Sequence, residues 1–262
     1  MPEVTANGVK LNYEEMGRGK PLVLVHHLGG NLLSWRNQLP EFQRHFRVIA
    51  YEIRGHGRSD QPQSGYEVSN QAKDLESLLG TLGISSCYLL GHSIGGQIAM
   101  RLTLDSPELV EKLVLVNTRP DPVPETARKN FSLMCDIART QGMQAVAEHR
   151  RAKDELVKKL AEDPKTWEDF KRMYSETSVI GFVKCAEALG SVASFRDELG
   201  KIRTPTLCIV GSDDHMTFPY VEVMTKKIPK CTSIVMGNCG HFSMIESPTE
   251  FNAYVLAFLQ GK

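Results

Sequence analysis

Cys87-Tyr88-Leu89-Leu90-Gly91-His92-Ser93-Ile94-Gly95-Gly96-Gln97-Ile98-Ala99-Met100-Arg101-Leu102-Thr103-Leu104 is the stretch on which the fold turns. Residues 87–90 form a short apolar run, read as a buried strand. Residues 97–104 carry a helical pattern. Between them Gly91-His92-Ser93-Ile94-Gly95 fits G-x-S-x-G. Strand, sharp turn and helix in that order make this pattern a nucleophile elbow, with a strained serine raised above the sheet. Glycines two places either side of Ser93 let the two backbone arms pass closely. The helix that follows presents unpaired N–H groups and the positive end of its dipole, which favours an anion beside the serine. The competing reading, a glycine-rich strand-to-helix turn without chemistry, loses ground as the rest of the chain is read.

Outward from this turn, apolar strand runs alternate with helical patterns, as in a mostly parallel sheet with helices on both faces. Residues 22–25, 48–51, 113–116, 206–210 and 233–236 read as buried strands, and residues 8–14 alternate like an exposed edge strand. Val68, Ala72, Leu75, Leu78 and Leu79 space a helix over 67–82, and Phe251, Tyr254, Val255, Phe258 and Leu259 space a closing helix over 250–259. The alternation breaks between 119 and 202, a charged, helix-patterned stretch entered through Pro120, Pro122 and Pro124 and left through Thr204-Pro205. The expectation is a core of residues 1–118 and 203–262, with residues 119–202 as a helical lid over the sheet's carboxyl edge. Helices simply packed on the side of the sheet are the alternative.

A serine nucleophile needs a base, and the base an orienting acid. On such a sheet the expected chain order is serine, then acid, then histidine. The strand run ending at Val210 leads into Gly211-Ser212-Asp213-Asp214-His215, and the last strand into Gly237-Asn238-Cys239-Gly240-His241. Both are loops after a strand's carboxyl end, where open α/β sheets hold their sites. His241 is the expected base, and Asp213 and Asp214 compete for the acid. An oxyanion needs two preorganised N–H donors. The backbone N–H of Ile94 is expected to be one, and that of Leu28, in the loop after strand 22–25, the other.

His26 and His27 are adjacent, face opposite sides of an extended chain and make a poor metal pair. His45, His56, His149 and His215 read as structural or solvated, and no H-E-x-x-H is present. Arg54-Gly55-His56-Gly57-Arg58-Ser59 lacks the lysine of a phosphate loop, and no dinucleotide fingerprint appears, so neither metal nor organic cofactor is implied. The six cysteines show no C-x-x-C pair and read as small buried apolar residues, with Cys239, close to His241, the one candidate for a reactive thiol.

The 262 residues carry 31 Lys plus Arg and 31 Asp plus Glu, so the formal net charge is zero. Without a basic run, phosphate neutralisation has no source, and nucleic acid is not an expected partner. No apolar run approaches the ~20 residues needed to cross a bilayer, so no membrane partner is expected either. The start, Met1-Pro2-Glu3-Val4, lacks signal-peptide character, and a cytoplasmic location is the default expectation. Oligomeric state, homo-oligomer or monomer, is left open.

With these pieces in place, the chain resembles the α/β-hydrolases over nearly its whole length. His26 to Trp35, Glu52-Ile53-Arg54-Gly55-His56-Gly57-Arg58-Ser59, the 91–96 turn and Gly240-His241 stand as four signatures in the family's order. In that family the acid stands three residues after a glycine closing its strand, with a proline further on. Gly211 and Pro219 therefore select Asp214. The nearest branch by resemblance is that of the 3-oxoadipate enol-lactonases and carboxylesterases. His27-Leu28-Gly29-Gly30 with Trp35 is similar to its oxyanion segment, and 136–143 and 178–185 are similar to its lid helices. The chain departs from the family at His27, where glycine is usual, and at Glu52, where aspartate is usual. A bulky His27 is expected to narrow the acyl pocket or meet the substrate. Serine at 93 argues against the aspartate-nucleophile dehalogenases and epoxide hydrolases of this fold.

The resulting expectation is a serine hydrolase cleaving a small carboxylic ester or lactone through Ser93, His241 and Asp214, with Leu28 and Ile94 as oxyanion donors. Trp35, Phe131, Met134 and Trp167 are expected to touch substrate, and Leu133, Met143, Met173 and Phe182 to stand near them. Each lid residue has packing within the lid as its competing role. A dianionic substrate would need a cation, for which Arg119, Arg128 and Arg172 are the candidates. C–C bond hydrolysis or perhydrolysis on the same three residues is the alternative chemistry. A ligand receptor with a slow triad is the alternative class.

Overall fold

The computed structural model describes residues 2–261. In chain order it runs β1 Glu3–Ala6, β2 Val9–Met16, β3 Pro21–Val25, α1 Leu39–Phe42, β4 Arg47–Tyr51, α2 Val68–Thr81, β5 Cys87–His92, α3 Ile94–Asp105 and β6 Val110–Val116. Four helices follow without an intervening strand: α4 Glu125–Gln141, α5 Met143–Lys153, α6 Pro164–Ser175 and α7 Val179–Ser191. The chain closes with β7 Thr206–Gly211, α8 Phe218–Lys227, β8 Cys231–Met236, α9 Ser243–Glu246 and α10 Pro248–Gln260. The eight strands make one sheet in the order β1-β2-β4-β3-β5-β6-β7-β8. From β4 to β8 all pairings are parallel; β2 runs antiparallel to both β1 and β4.

The parallel strands read as continuous apolar runs because helices cover the sheet on both faces. Leu22, Val23, Leu24 and Val25 are all without solvent exposure, as are Leu113, Val114 and Val116. Each such side chain contributes ~1.5–3 kcal/mol relative to exposure, which makes the strand assignment insensitive to any single residue. The chain runs from β3 outward to β4, then returns to lay β5 on the other side of β3. That reversal opens a crevice at the carboxyl ends of β3 and β5, where this class of sheet binds its ligands. The loops of His27 and Ser93 leave from those two strands.

Two strand expectations need correction. Residues 233–236 are not a buried strand: β8 is the far edge of the sheet, pairs among the described residues only with β7, and leaves Ser233 and Val235 exposed. Residues 8–14 are not the edge, because β1 pairs outside β2 through the register Ala6 with Val9. Asn7 (φ 48°) and Gly8 (φ 76°) supply the two left-handed residues of a tight hairpin, which returns the chain along itself.

Candidate active site

Ser93 sits between β5 and α3 with φ 57° and ψ −117°, a region that costs a non-glycine residue ~1–3 kcal/mol. The strain persists because the backbone around it has no alternative. A Cβ on Gly91 would stand 2.2 Å from the Gly95 carbonyl oxygen, and one on Gly95 would stand 2.2 Å from that of Val25. Small residues at these positions are thus a condition of the turn.

The side chains of Ser93, His241 and Asp214 form one hydrogen-bonded line. His241 Nε2 lies 3.1 Å from Ser93 Oγ, and Nδ1 lies 2.8 Å from Asp214 Oδ2. Asp214 is fully buried and His241 nearly so. The carboxylate is well supplied with donors. Asn117 Nδ2 donates to Oδ2 at 2.8 Å, the Thr217 hydroxyl donates to the same oxygen, and the backbone N–H groups of Met216 and Thr217 donate to Oδ1 at 3.2 Å. Burial by itself would raise the Asp214 carboxyl. The charge of His241 and these hydrogen bonds outweigh burial and hold it well below the usual carboxylate range. Asp213 is exposed and bonded to its neighbour Ser212 instead.

Two backbone N–H groups face no protein acceptor. Leu28 N–H is one. Its peptide is held by the carbonyl on the other side of the bond, because His27 O accepts from His26 Nδ1 at 2.8 Å and from Gly30 N at 2.9 Å. In a trans peptide the N–H points opposite to that carbonyl, so fixing His27 O aims Leu28 N–H. His26 is locked in turn, since its Nε2 accepts from Ile53 N at 3.1 Å. The next peptide is also pinned: Leu28 O accepts from His27 Nδ1 at 2.9 Å, and Gly29 N–H donates to His56 Nε2 at 3.1 Å. Ile94 N–H is the other. Ser93 O accepts from Gly96 N, Gln97 N and, at 2.6 Å, the Thr118 hydroxyl, so the anti-oriented Ile94 N–H is turned away from the helix. Among the described residues neither N–H meets an acceptor.

Ser93, His241, Leu28 and His27 line a cavity of about 370 Å³ from the sheet side, and Ile94 lines a small recess beside the same serine. Phe131, Met134, Arg150, Tyr174 and Phe182 line the cavity from α4, α5, α6 and α7. That volume suits a small organic molecule. His27 is buried beside Phe242 (ring centroids 4.9 Å) and His92 (5.1 Å), and desolvation holds its imidazole well below the ordinary value, so it is a neutral wall. Arg150 is neutralised in place: Nε donates to Asp154 at 2.7 Å, and Nη1 donates to the Tyr174 hydroxyl. Among the described residues, no group of three or more His, Cys, Asp or Glu side chains is arranged to hold a metal ion.

Of the expected contacts, Phe131, Met134 and Phe182 line the cavity, and Trp35 and Trp167 do not. Trp35 is fully buried in the turn Leu32–Trp35, which the Asn31 side chain caps by accepting from Leu33 N at 2.9 Å. Trp167 lies on the same stripe of α6 as Tyr174, but two turns (~10 Å) earlier, where it stacks on Phe170 at 5.4 Å. Met143 and Met173 are buried away from the cavity, and Leu133 is exposed. Of the candidate cations, Arg119 lines the cavity; Arg128 bonds the Val123 carbonyl, and Arg172 pairs with Asp169. Burial pushes the Cys239 thiol up to about 11, so little thiolate forms beside His241. Asn117, Thr217 and Arg150 escaped the sequence reading. The short loops after β6 and β7 hinted at the first two, and nothing in the pattern of α5 marked Arg150.

Residues 20–248 match the family model described as the alpha/beta hydrolase fold. The chain belongs to the α/β-hydrolase family. Within it the chain falls among the enol-lactonases and esterases. It is 29% identical over 260 residues to 3-oxoadipate enol-lactonase 2 of Acinetobacter baylyi, covering 98% of this chain and 96% of that protein. It is 30% identical over 251 residues to the putative carbamate hydrolase RutD of Yersinia enterocolitica, covering 92% and 87%. A solved structure from a study of carboxylesterases of the thaumarchaeon Nitrososphaera gargenis superposes with a TM-score of 0.92 at 32% identity, covering 99% and 98%. Among the described residues, no helix is long and apolar enough to cross a membrane.

Proposed function

We propose that this protein hydrolyses a small carboxylic ester or lactone through an acyl-enzyme on Ser93. The observation that carries the reading is the line from Asp214 through His241 to Ser93 Oγ, which opens on the cavity beside two unpaired N–H groups. His241 Nε2 takes the Ser93 proton as Oγ attacks the carbonyl carbon. The oxyanion forms against the N–H groups of Leu28 and Ile94, which are oriented before the reaction and cost no reorganisation. The intermediate collapses, the C–O bond to the alcohol breaks, and His241 returns the proton to the leaving oxygen. Water then attacks the ester of Ser93 by the same steps, releasing the acid. Asp214 holds the imidazole with Nδ1–H toward itself and offsets the charge that forms on it. Residues 119–202 act as the lid, keeping water from the acyl-enzyme, with Phe131, Met134 and Phe182 shaping the substrate space.

Carbamates are a second substrate class, favoured by the likeness to the putative carbamate hydrolase, because the same steps cleave them with an amine or alcohol leaving. The test is steady-state hydrolysis of p-nitrophenyl acetate and butyrate by the wild type and by folded Ser93→Ala, followed by a panel of esters, lactones and carbamates. Loss of at least ~10³-fold in kcat is the expected result for Ser93→Ala. Equal turnover by both proteins would rule Ser93 out as the nucleophile, and a silent wild type that still binds esters would favour a receptor.

A further inference from the structure

Among the described residues, Arg119 is the one arginine or lysine lining the cavity whose charge no side chain pairs with. Its side chain is 4% exposed. Among the described residues its guanidinium makes no hydrogen bond and no ion pair, and Nε is buried without a partner. It lines the main cavity together with Ser93, and also a small recess formed with Ile94, Gln97, Thr118 and Leu189 beside the same serine. The acids near enough to feel it are engaged elsewhere. Asp214 is bonded to His241, Asn117 and Thr217, and Asp121 to Arg196 and Ser194. Across the cavity Arg150 differs sharply, since Asp154 and Tyr174 take up its donors.

The backbone that carries Arg119 is tied to the turn of Ser93. Gln97 Nε2 donates to Arg119 O at 3.2 Å, Thr118 Oγ1 donates to Ser93 O at 2.6 Å, and Asn117 Nδ2 reaches both Asp214 and Gly240 O. The segment 117–119 is therefore tied to the nucleophile turn and to the loop of His241. A buried cation without a partner is costly, and arginine stays protonated rather than shed that cost by losing its proton. An unanswered guanidinium at this place pays only if the missing counter-charge arrives with the ligand. The planar fork of guanidinium donors matches a carboxylate.

We propose that Arg119 is the receptor for a free carboxylate on the substrate, so that the cavity selects esters or lactones of acids that keep a second, ionised carboxyl group. The inference rests on the serine-hydrolase reading and adds the charge of the substrate to it. Arg119 then acts in binding and orientation, and its contribution is confined to substrates that carry the anion.

The experiment compares each acid with its own methyl ester. Mono-p-nitrophenyl adipate against methyl p-nitrophenyl adipate puts the carboxylate on the acyl side; 4-acetoxybenzoate against methyl 4-acetoxybenzoate puts it on the leaving side. Wild type is expected to favour the acid in one of the pairs. In Arg119→Met the ratio of kcat/KM for acid over methyl ester falls at least about tenfold, chiefly through KM, the scale of a lost charge-assisted hydrogen bond. Arg119→Lys keeps an intermediate ratio, since it retains the charge without the fork. A wild type without preference in either pair, or a ratio in folded Arg119→Met within about twofold of wild type, would overturn the proposal. If Arg119→Met does not fold, inhibition of wild type decides. Adipate is expected to compete at least about tenfold more tightly than dimethyl adipate, and equal inhibition would overturn the proposal. Failure of the serine reading shows separately, as hydrolysis of the neutral methyl esters that survives Ser93→Ala.

Discussion

The turn around Ser93 and the helices above it are held together by different parts of the chain. At the turn, backbone packs on backbone. Gly91 and Gly95 leave no room for a Cβ, Ser93 O accepts three hydrogen bonds, and His27 O accepts two. In α4–α7 side chains do the packing: Trp167 on Phe170, Phe170 against Tyr174, and Arg150 over the rings of Phe170, Tyr174 and Phe242. The helices meet the core backbone to backbone at one point in the loop after β4, where a Cβ on Gly181 would stand 2.1 Å from Gly55 O. A region built on backbone contacts has few sequences that satisfy it. One built on side-chain contacts accepts any set of similar volume. On the proposed function the chemistry belongs to the first, and the apolar shape of the substrate space to the second.

Gly95→Ala should break the protein most completely, because its methyl group meets the carbonyls of Val25 and His26 rather than a movable side chain. Insoluble or inactive protein is expected by circular dichroism and ester hydrolysis, and an active, folded Gly95→Ala would show the turn to be as adaptable as the helices. Asp214→Asn comes next. With the geometry kept and the imidazole tautomer lost, kcat should fall ~10³–10⁴-fold while the melting temperature moves little by comparison. A loss under about tenfold would mean that His241 is oriented by other groups.

Acid should weaken the sheet side. His26, His27 and His92 are held well below the ordinary imidazole value, first by desolvation, and His56 is lowered by burial to about 4. Unfolded, all four gain a proton as pH falls through about 6.5; folded, they stay neutral. The unfolded state then binds more protons, so the stability these groups carry is complete above that pH and declines below it. The slope is up to ~1.4 kcal/mol per pH unit for each histidine. Glu52, Asp74 and Glu246, raised first by desolvation, act in the opposite sense nearer their ordinary range. The melting temperature is therefore best compared between pH 7.5 and 5.5, and a flat profile there would contradict the buried neutral histidines.

Phe131→Ala, in the wall contributed by α4, should change KM by about two- to tenfold with a small effect on kcat, measured on a series of acyl chain lengths. A collapse of kcat would tie α4 to the chemistry and blur the division between the regions. The smallest effect is expected for Gly190→Ala in α7, where a Cβ meets nothing within 4 Å. A gain of ~0.4–1 kcal/mol should follow from the lower entropy of the unfolded chain. Set beside Gly95→Ala, it compares one substitution in the two regions.

The central strands were readable because their apolar runs lie in a sheet covered on both faces, where periodicity and burial agree; at the edge strand β8 the apolar run Ile234-Val235 did not mean burial. The hairpin at Asn7-Gly8 was missed because Glu3–Ala6 is a short, half-exposed strand without an apolar signal of its own. Ser93 and His241 were legible because motif, strand context and chain order coincide, and the choice of Asp214 over Asp213 drew on the family's spacing. Trp35 and Trp167, expected at the substrate, stand off the cavity for one reason. Aromatic identity marks burial, while facing a cavity depends on the turn of the helix on which the ring stands.

By itself the sequence determined the order of the central strands and the helix-patterned stretches between them, the turn at Ser93, and the loops that carry His241 and the two aspartates. These follow from local rules, in which apolar period, glycine and chain order each act over a few residues. Only the tertiary structure decided which way the Leu28 N–H faces, since that depends on how His26 and Gly30 fold the loop around it and on Ile53, from a separate segment, locking His26. It alone separated Arg119 from Arg150 as the unanswered charge, because a charge is answered or not by neighbours distant in sequence, and no pattern along the chain records who they are.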